Sequence, residues 1–194
     1  MRIVGGIWRG RPLEAPDGRD VTRPTTDRTR EQMASMVLSA FDLDLSDVRI
    51  LDAFAGSGAI GLELLSRGAA HCTFVDADRK AVARIKRNVS SLGASRAQYD
   101  VMGGDVAKLV SRGRLPGAPF SLVVLDPPYA MPASDVTKLV EALAAGGMLE
   151  SDALVLYERA SSGAQLSLAG ATQLKSKSHG TTAVDLLRMG DTDE

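Results

Sequence analysis

From residue 49 onward the chain alternates short, almost unbroken apolar runs with longer stretches whose apolar residues recur every three or four positions. The short runs, at 48–53, 71–75, 97–101, 121–125 and 153–158, predict strands of a parallel sheet. The stretches between them, 60–67, 79–92, 106–112 and 134–145, have the spacing of amphipathic helices that pack on such a sheet. Strand and helix in alternation mean a doubly wound α/β domain. The pattern breaks after Glu158. There, 165–174 and 183–189 read as two strands joined by a Lys-, Ser- and Gly-rich connection without a helix, which predicts a closing antiparallel hairpin. Upstream, 28–41 has helical spacing, whereas 1–27 is rich in glycine, proline and arginine with little periodicity. It reads as an extension added to a domain at 28–190, with 191–194 an acidic tail.

A length of 194 residues with 44% hydrophobic positions suits one enzyme-sized domain and a small extension. No apolar run approaches a bilayer span, and the first residues lack the apolar core of a secretion signal, so a cytoplasmic protein without a membrane partner is expected. Cys72 has no second cysteine to pair with, and His71 and His179 are far apart in sequence, so neither a disulfide nor a metal site is expected. Cys72 reads as core filler. The net charge of −1 hides an uneven distribution: the first thirty residues carry seven arginines against four acids. A basic arm on an acidic body suits a phosphate-bearing partner, although a solvated loop has the same composition.

Gly56, Gly58 and Gly61 have the G-x-G-x-x-G spacing, directly after a predicted strand and at the start of a helix. There the chain must turn sharply and let a ligand approach its backbone. A dinucleotide would place its pyrophosphate on the helix N-terminus. Asp52, however, ends the strand just before the loop, and a carboxylate there favours a cation. S-adenosylmethionine, with an ammonium and a sulfonium, fits that charge. Asp76 ends the next predicted strand, twenty residues past Gly56, where an acid can accept from both ribose hydroxyls. Asp105 is placed either to accept from an adenine amino group or to cap the following helix, and Asp78 reads as a helix cap.

After the fourth predicted strand comes Asp126-Pro127-Pro128-Tyr129. Two prolines hold an extended loop at the carboxyl edge of the sheet and present the Asp126 side chain and the Pro127 carbonyl as acceptors. The exocyclic amine of a base is a poor nucleophile because its lone pair is delocalised into the ring. Two acceptors on its hydrogens orient the amine and stabilise the positive charge that develops as it is methylated. Tyr129 can stack on the base. C5 methylation of cytosine needs a cysteine nucleophile in an exposed loop, and Cys72 lies in a predicted strand.

With Arg2 to Arg11 (RIVGGIWRGR), Arg23 to Glu31 (RPTTDRTRE), Asp52 to Gly58 (DAFAGSG) and Asp126 to Tyr129 in this order, the chain resembles the RsmD family of bacterial small-subunit ribosomal RNA guanine-N2 methyltransferases. The resemblance covers nearly the whole length. It implies an α/β, Rossmann-like class I methyltransferase fold: a seven-stranded, mostly parallel sheet with a C-terminal antiparallel hairpin and a small basic N-terminal extension. It also implies S-adenosylmethionine as donor, and as target N2 of the guanine at position 966 in 16S ribosomal RNA; the small arm offers little surface for reading sequence alone, so an assembled small-subunit particle is the expected partner. Carried onto this chain, it makes Asp52, Phe54, Gly56, Gly58, Asp76, Asp105 and Val106 cofactor-binding residues. Asp126, Pro127, Pro128 and Tyr129 become catalytic. Thr25 and Arg28 would cap the first helix or close over the cofactor carboxylate. Arg2, Arg9, Arg11 and Arg23 would meet RNA, and Trp8 would stack on it or anchor the arm. Where family members often carry Tyr-Gly, this chain has His179-Gly180.

Two other functions share parts of the pattern. A DNA amino-methyltransferase acting on adenine N6 or cytosine N4 would use the same tetrapeptide, but the chain has no segment of the size of a separate target-recognition domain. A nicotinamide-dependent oxidoreductase would use the glycines and Asp76, and leaves Asp52 and the tetrapeptide unexplained.

Overall fold

The structure, a computed structural model, describes residues 1–16, 26–113 and 115–190. After helix α1 (Asp27–Ala40), strands and helices alternate: β1 (Arg49–Asp52), α2 (Ala59–Ser66), β2 (His71–Asp76), α3 (Arg79–Leu92), β3 (Tyr99–Gly103), α4 (Val106–Ser111), β4 (Phe120–Leu125), α5 (Ala133–Ala145) and β5 (Leu149–Ala160). The hairpin β6 (Thr172–His179) and β7 (Thr182–Arg188) follows. The seven strands form one sheet in the order β3-β2-β1-β4-β5-β7-β6. The first five are parallel, and β7 runs antiparallel to both β5 and β6.

Successive strand residues point to opposite faces, so the apolar runs feed two cores. Ile50, Phe74, Leu122, Val124 and Leu156 join α1, α2 and α3 on one side, while Leu51, Val75, Val123 and Val155 join α4 and α5 on the other. With both faces covered, β4 is apolar at all but one position, and the polar His71 and Thr73 of β2 are buried as well. The chain steps outward from β1 to β2 and β3, then returns to place β4 on the other side of β1. That reversal opens a crevice beyond the carboxyl ends of β1 and β4.

Two expectations change. The strand read at 165–174 is not one: β6 starts at Thr172 and runs through the Lys- and Ser-rich segment that read as a connection. Leu166 and Leu168 instead seal the second core from a stretch without regular structure. β6 lies at the sheet edge with nearly every residue exposed, so its pairing comes from β7 and leaves no apolar periodicity. The cap of α1 is Thr26, whose hydroxyl accepts from the Thr29 N–H at 3.2 Å; Thr25, like Arg23, falls outside the described residues. Residues 1–16 also pack onto the body. Ile3, Trp8 and Leu13 belong to the same core as α1 and α2. The Val4 and Gly5 N–H groups each donate to the buried Glu63 carboxylate of α2 at 2.8 Å.

Candidate active site

The crevice is a cavity of about 480 Å³ whose walls come from the loop after each of the first four strands in the sheet. Asp52 ends β1 and Phe54 and Gly56 follow it, Asp76 ends β2 and Asp78 follows it, Asp105 and Val106 follow β3, and Asp126 and Pro128 follow β4. Residues dispersed over seventy positions thus meet because parallel strands deliver every carboxyl end to the same edge.

The glycine loop is shaped by backbone demands. Gly58 stands at the N-cap of α2 with φ of 77°, a left-handed conformation that offers no side chain to cap the helix. Asp52 supplies the cap instead, its Oδ2 accepting from the Gly61 N–H at 3.2 Å. Gly61 itself lies so close to β2 that a Cβ would fall 2.4 Å from the Phe74 ring. Asp76 accepts from the Gly56 N–H at 2.7 Å and from the Asp78 N–H at 2.8 Å, which ties the glycine loop to the end of β2. From the far side, the buried Asn88 amide donates to the Ser57 carbonyl at 2.9 Å and to the Glu14 carbonyl at 3.2 Å, linking the loop to the N-terminal segment.

The cavity is acidic. Asp52 is only 2% exposed, and its burial pushes the carboxyl up to about 7; the Gly61 N–H opposes the rise, and the like charges of Asp126 and Asp76 add to it. Asp78 caps α3 through the Lys80 N–H, and Asp105 caps α4 through the Lys108 N–H at 3.0 Å while still lining the cavity. Both readings of Asp105 are therefore compatible: one oxygen holds the helix, and lone pairs remain for a ligand. An acidic wall, open backbone at the glycine loop and a slot of this size fit the adenosyl and cationic parts of S-adenosylmethionine. Sequence reasoning missed Arg84, Met1 and Pro16, which also line the cavity. Arg84 is buried on α3, its Nε has no hydrogen-bond partner, and it is the only cationic side chain among the described lining residues. A position on α3 two turns past its cap carries no local signature, so only the tertiary packing reveals it.

On the opposite wall, Asp126 and Pro128 face the cavity, and Pro127 is buried beneath them. Tyr129 stands outside the lining with its ring 53% exposed and its hydroxyl 3.4 Å from Thr182 Oγ1, at the start of β7. Among the arm residues, Trp8 is only 8% exposed and its N–H donates to Ser66 Oγ, so it anchors the arm and offers no face to a base. Arg2, Arg9, Arg11 and Arg28 are exposed. Arg2 pairs with Asp27 at 3.3 Å, and Arg11 donates to the Ser91 carbonyl. Arg28 lies on α1 and does not line the cavity. Among the described residues there is no cluster suited to a metal and no helix long and apolar enough to cross a membrane.

The profile of the family described as conserved hypothetical protein 95 matches residues 1–188. Ribosomal RNA small subunit methyltransferase D of Escherichia coli K12 is 36% identical over 158 residues, which cover 81% of this chain and 74% of that protein. Among solved structures, a candidate methylase of Haemophilus influenzae, HI0767, superimposes with a TM-score of 0.78 at 27% identity, and a candidate methyltransferase of E. coli, yhhF, with 0.77 at 30% identity. Each comparison covers 98% of both chains. The crevice, the acids around it and these likenesses lead to one assignment: the chain has the Rossmann-like class I methyltransferase fold and belongs to the conserved hypothetical protein 95 family, that of the RsmD methyltransferases.

Proposed function

We propose that the protein is an S-adenosylmethionine-dependent ribosomal RNA methyltransferase that modifies the exocyclic N2 of a guanine in the small-subunit RNA. The observation that carries the reading is that Asp126 and Pro128 open onto the same cavity as Asp52, Asp76 and Asp105. Acceptors for an amine thereby stand beside a slot for a cationic adenosyl ligand. Asp52 would face the cofactor's cationic end, Asp76 its ribose and Asp105 its adenine, with Phe54, Gly56, Gly58 and Val106 shaping the slot. When bound, the cofactor supplies a methyl group activated by its sulfonium. Asp126 and the Pro127 carbonyl would grip the two hydrogens of the guanine amine, orient its lone pair for transfer and stabilise the positive charge that develops on nitrogen until the surplus proton is released to solvent. Tyr129, exposed beside them, stacks on the extruded base, a contact worth ~1–3 kcal/mol. Arg2, Arg9 and Arg11 add phosphate contacts. The small arm offers little surface for reading sequence, so an assembled particle in the cytoplasm, which presents the loop ready-shaped, is the substrate.

The test is methyl transfer from labelled S-adenosylmethionine to small subunits lacking base modifications, to their purified RNA and to unmethylated DNA, with product nucleosides identified by mass. N2-methylguanosine on the subunits is expected. Asp126→Ala should lose at least a hundredfold in kcat while still binding the cofactor. Methylated adenine or cytosine in DNA with inert ribosomal substrates would replace this reading with the DNA one.

A further inference from the structure

The edge of the sheet beside the catalytic loop carries charge of one sign. On β6, Lys175, Lys177 and His179 occupy alternate positions, and strand geometry puts them on one face, ~6.7 Å apart. Lys175 identifies that face: its Nζ donates to Ser39 Oγ of α1 at 2.8 Å. These residues sit opposite Leu186, Val184 and Thr182 of β7, and Arg188, two residues past Leu186, extends the row on an exposed side chain. The only acid on either strand, Asp185, points to the other face, where Arg159 at 2.7 Å and the Ser176 hydroxyl at 2.6 Å engage it. Glu158 shares the basic face but is buried and lies two strands in. The row ends at the site itself, because Thr182, the partner of His179, is the residue whose hydroxyl meets Tyr129.

We infer that this stripe, Lys175-Lys177-His179 with Arg188, is a track for the phosphate backbone of the RNA strand that flanks the target base. The inference rests on the proposed RNA substrate. Three features support it: the charge is unbalanced on this face in a chain whose net charge is −1, the same-face spacing matches the step between neighbouring phosphates of an extended strand, and the track leads directly to the exposed Tyr129 ring. It also gives a docking surface besides the N-terminal arm, so that a flipped base is held by its strand as well as by its ring. Lysines on an edge strand have another use, which is to stop edge-to-edge pairing between sheets. A charge of either sign serves that purpose, and only a positive one serves RNA.

The test uses the full chain and measures binding of purified 16S RNA and of a short RNA stem-loop as salt is raised, alongside methyl transfer to small subunits. The double variant Lys175→Gln/Lys177→Gln should bind several-fold more weakly and lower the slope of log affinity against log salt by about 1 per lysine. Lys177→Arg should bind like the wild type, and Lys177→Glu more weakly than Lys177→Gln. An unchanged melting temperature and cofactor affinity would show that the fold and slot are intact. If Lys177→Glu binds RNA as well as the wild type, or the double variant keeps the full salt slope, the stripe is edge protection and the inference is wrong. If the lysines carry the slope but no RNA is methylated, the track stands and the proposed reaction falls. If the wild type binds no RNA, both fall.

Discussion

Asp52 caps α2 through the Gly61 N–H and at the same time lies at the floor of a cavity shared with Asp76 and Asp126. Its carboxyl is raised from 3.8 to about 7 by burial, so the folded protein holds a proton that the unfolded chain releases above about pH 4. Stability from this group is therefore fully present at acid pH and declines as pH rises toward 7. A cationic ligand acts in the opposite sense, because it favours the ionised carboxylate. Affinity for S-adenosylmethionine should accordingly rise with pH up to about 7 and then level off, with proton release on binding at pH 6. Calorimetric titration in buffers of different ionisation heat measures that proton directly, and its absence would remove Asp52 from the cationic end of the cofactor. Asp52→Asn should flatten the pH profile as well as weaken binding. That Asp52, Asp76 and Asp126 stand at strand ends, and so meet in one cavity, was legible from the sequence. Arg84 was not, since nothing in its neighbourhood along the chain distinguishes it from the other basic residues of α3.

At the level of elements, α2 joins the site to the N-terminal segment. Glu63, 1% exposed, accepts from the Val4 and Gly5 N–H groups and pairs with Arg67, which also reaches Glu31 on α1. Removing the carboxylate leaves two backbone donors without an acceptor and Arg67 with Glu31 as its remaining carboxylate partner. Glu63→Ala should therefore cost about 3–5 kcal/mol of unfolding free energy in denaturant titration. A loss below about 1 kcal/mol would mean that the N-terminal segment is held by its apolar anchors alone. Those anchors, Ile3, Trp8 and Leu13, were hidden in a segment without periodicity, because a loop that crosses the ends of helices buries single residues and has no repeating face to reveal. The hairpin itself is present, and only the bounds of its first strand were misread, for the opposite reason. β6 buries almost nothing, so apolar Leu166 and Leu168, which serve the core as coil, gave a stronger strand signal than the strand itself.

The whole molecule closes around a slot that its own side chains leave acidic. Ligand that binds only the folded state adds stability by mass action, about 2.7 kcal/mol at a hundred times its dissociation constant. At roughly 2–4 °C per kcal/mol for a chain of this size, saturating S-adenosylmethionine should raise the melting temperature by roughly 5–10 °C, and nicotinamide dinucleotide should leave it where it was. The reverse result would point to a dinucleotide fold. The order of strands and helices, the glycine turn, the acids at the strand ends and the proline loop were all determined by the sequence. Each of these is a local matter of periodicity, turn chemistry or the residue that follows a strand. Only the tertiary structure decided that the arm is part of the core, that Arg84 joins the cavity, and that a polar edge strand runs its basic face up to Tyr129. Those are relations between segments far apart in the chain, fixed by which strand pairs with which and by what the packing of both cores leaves exposed.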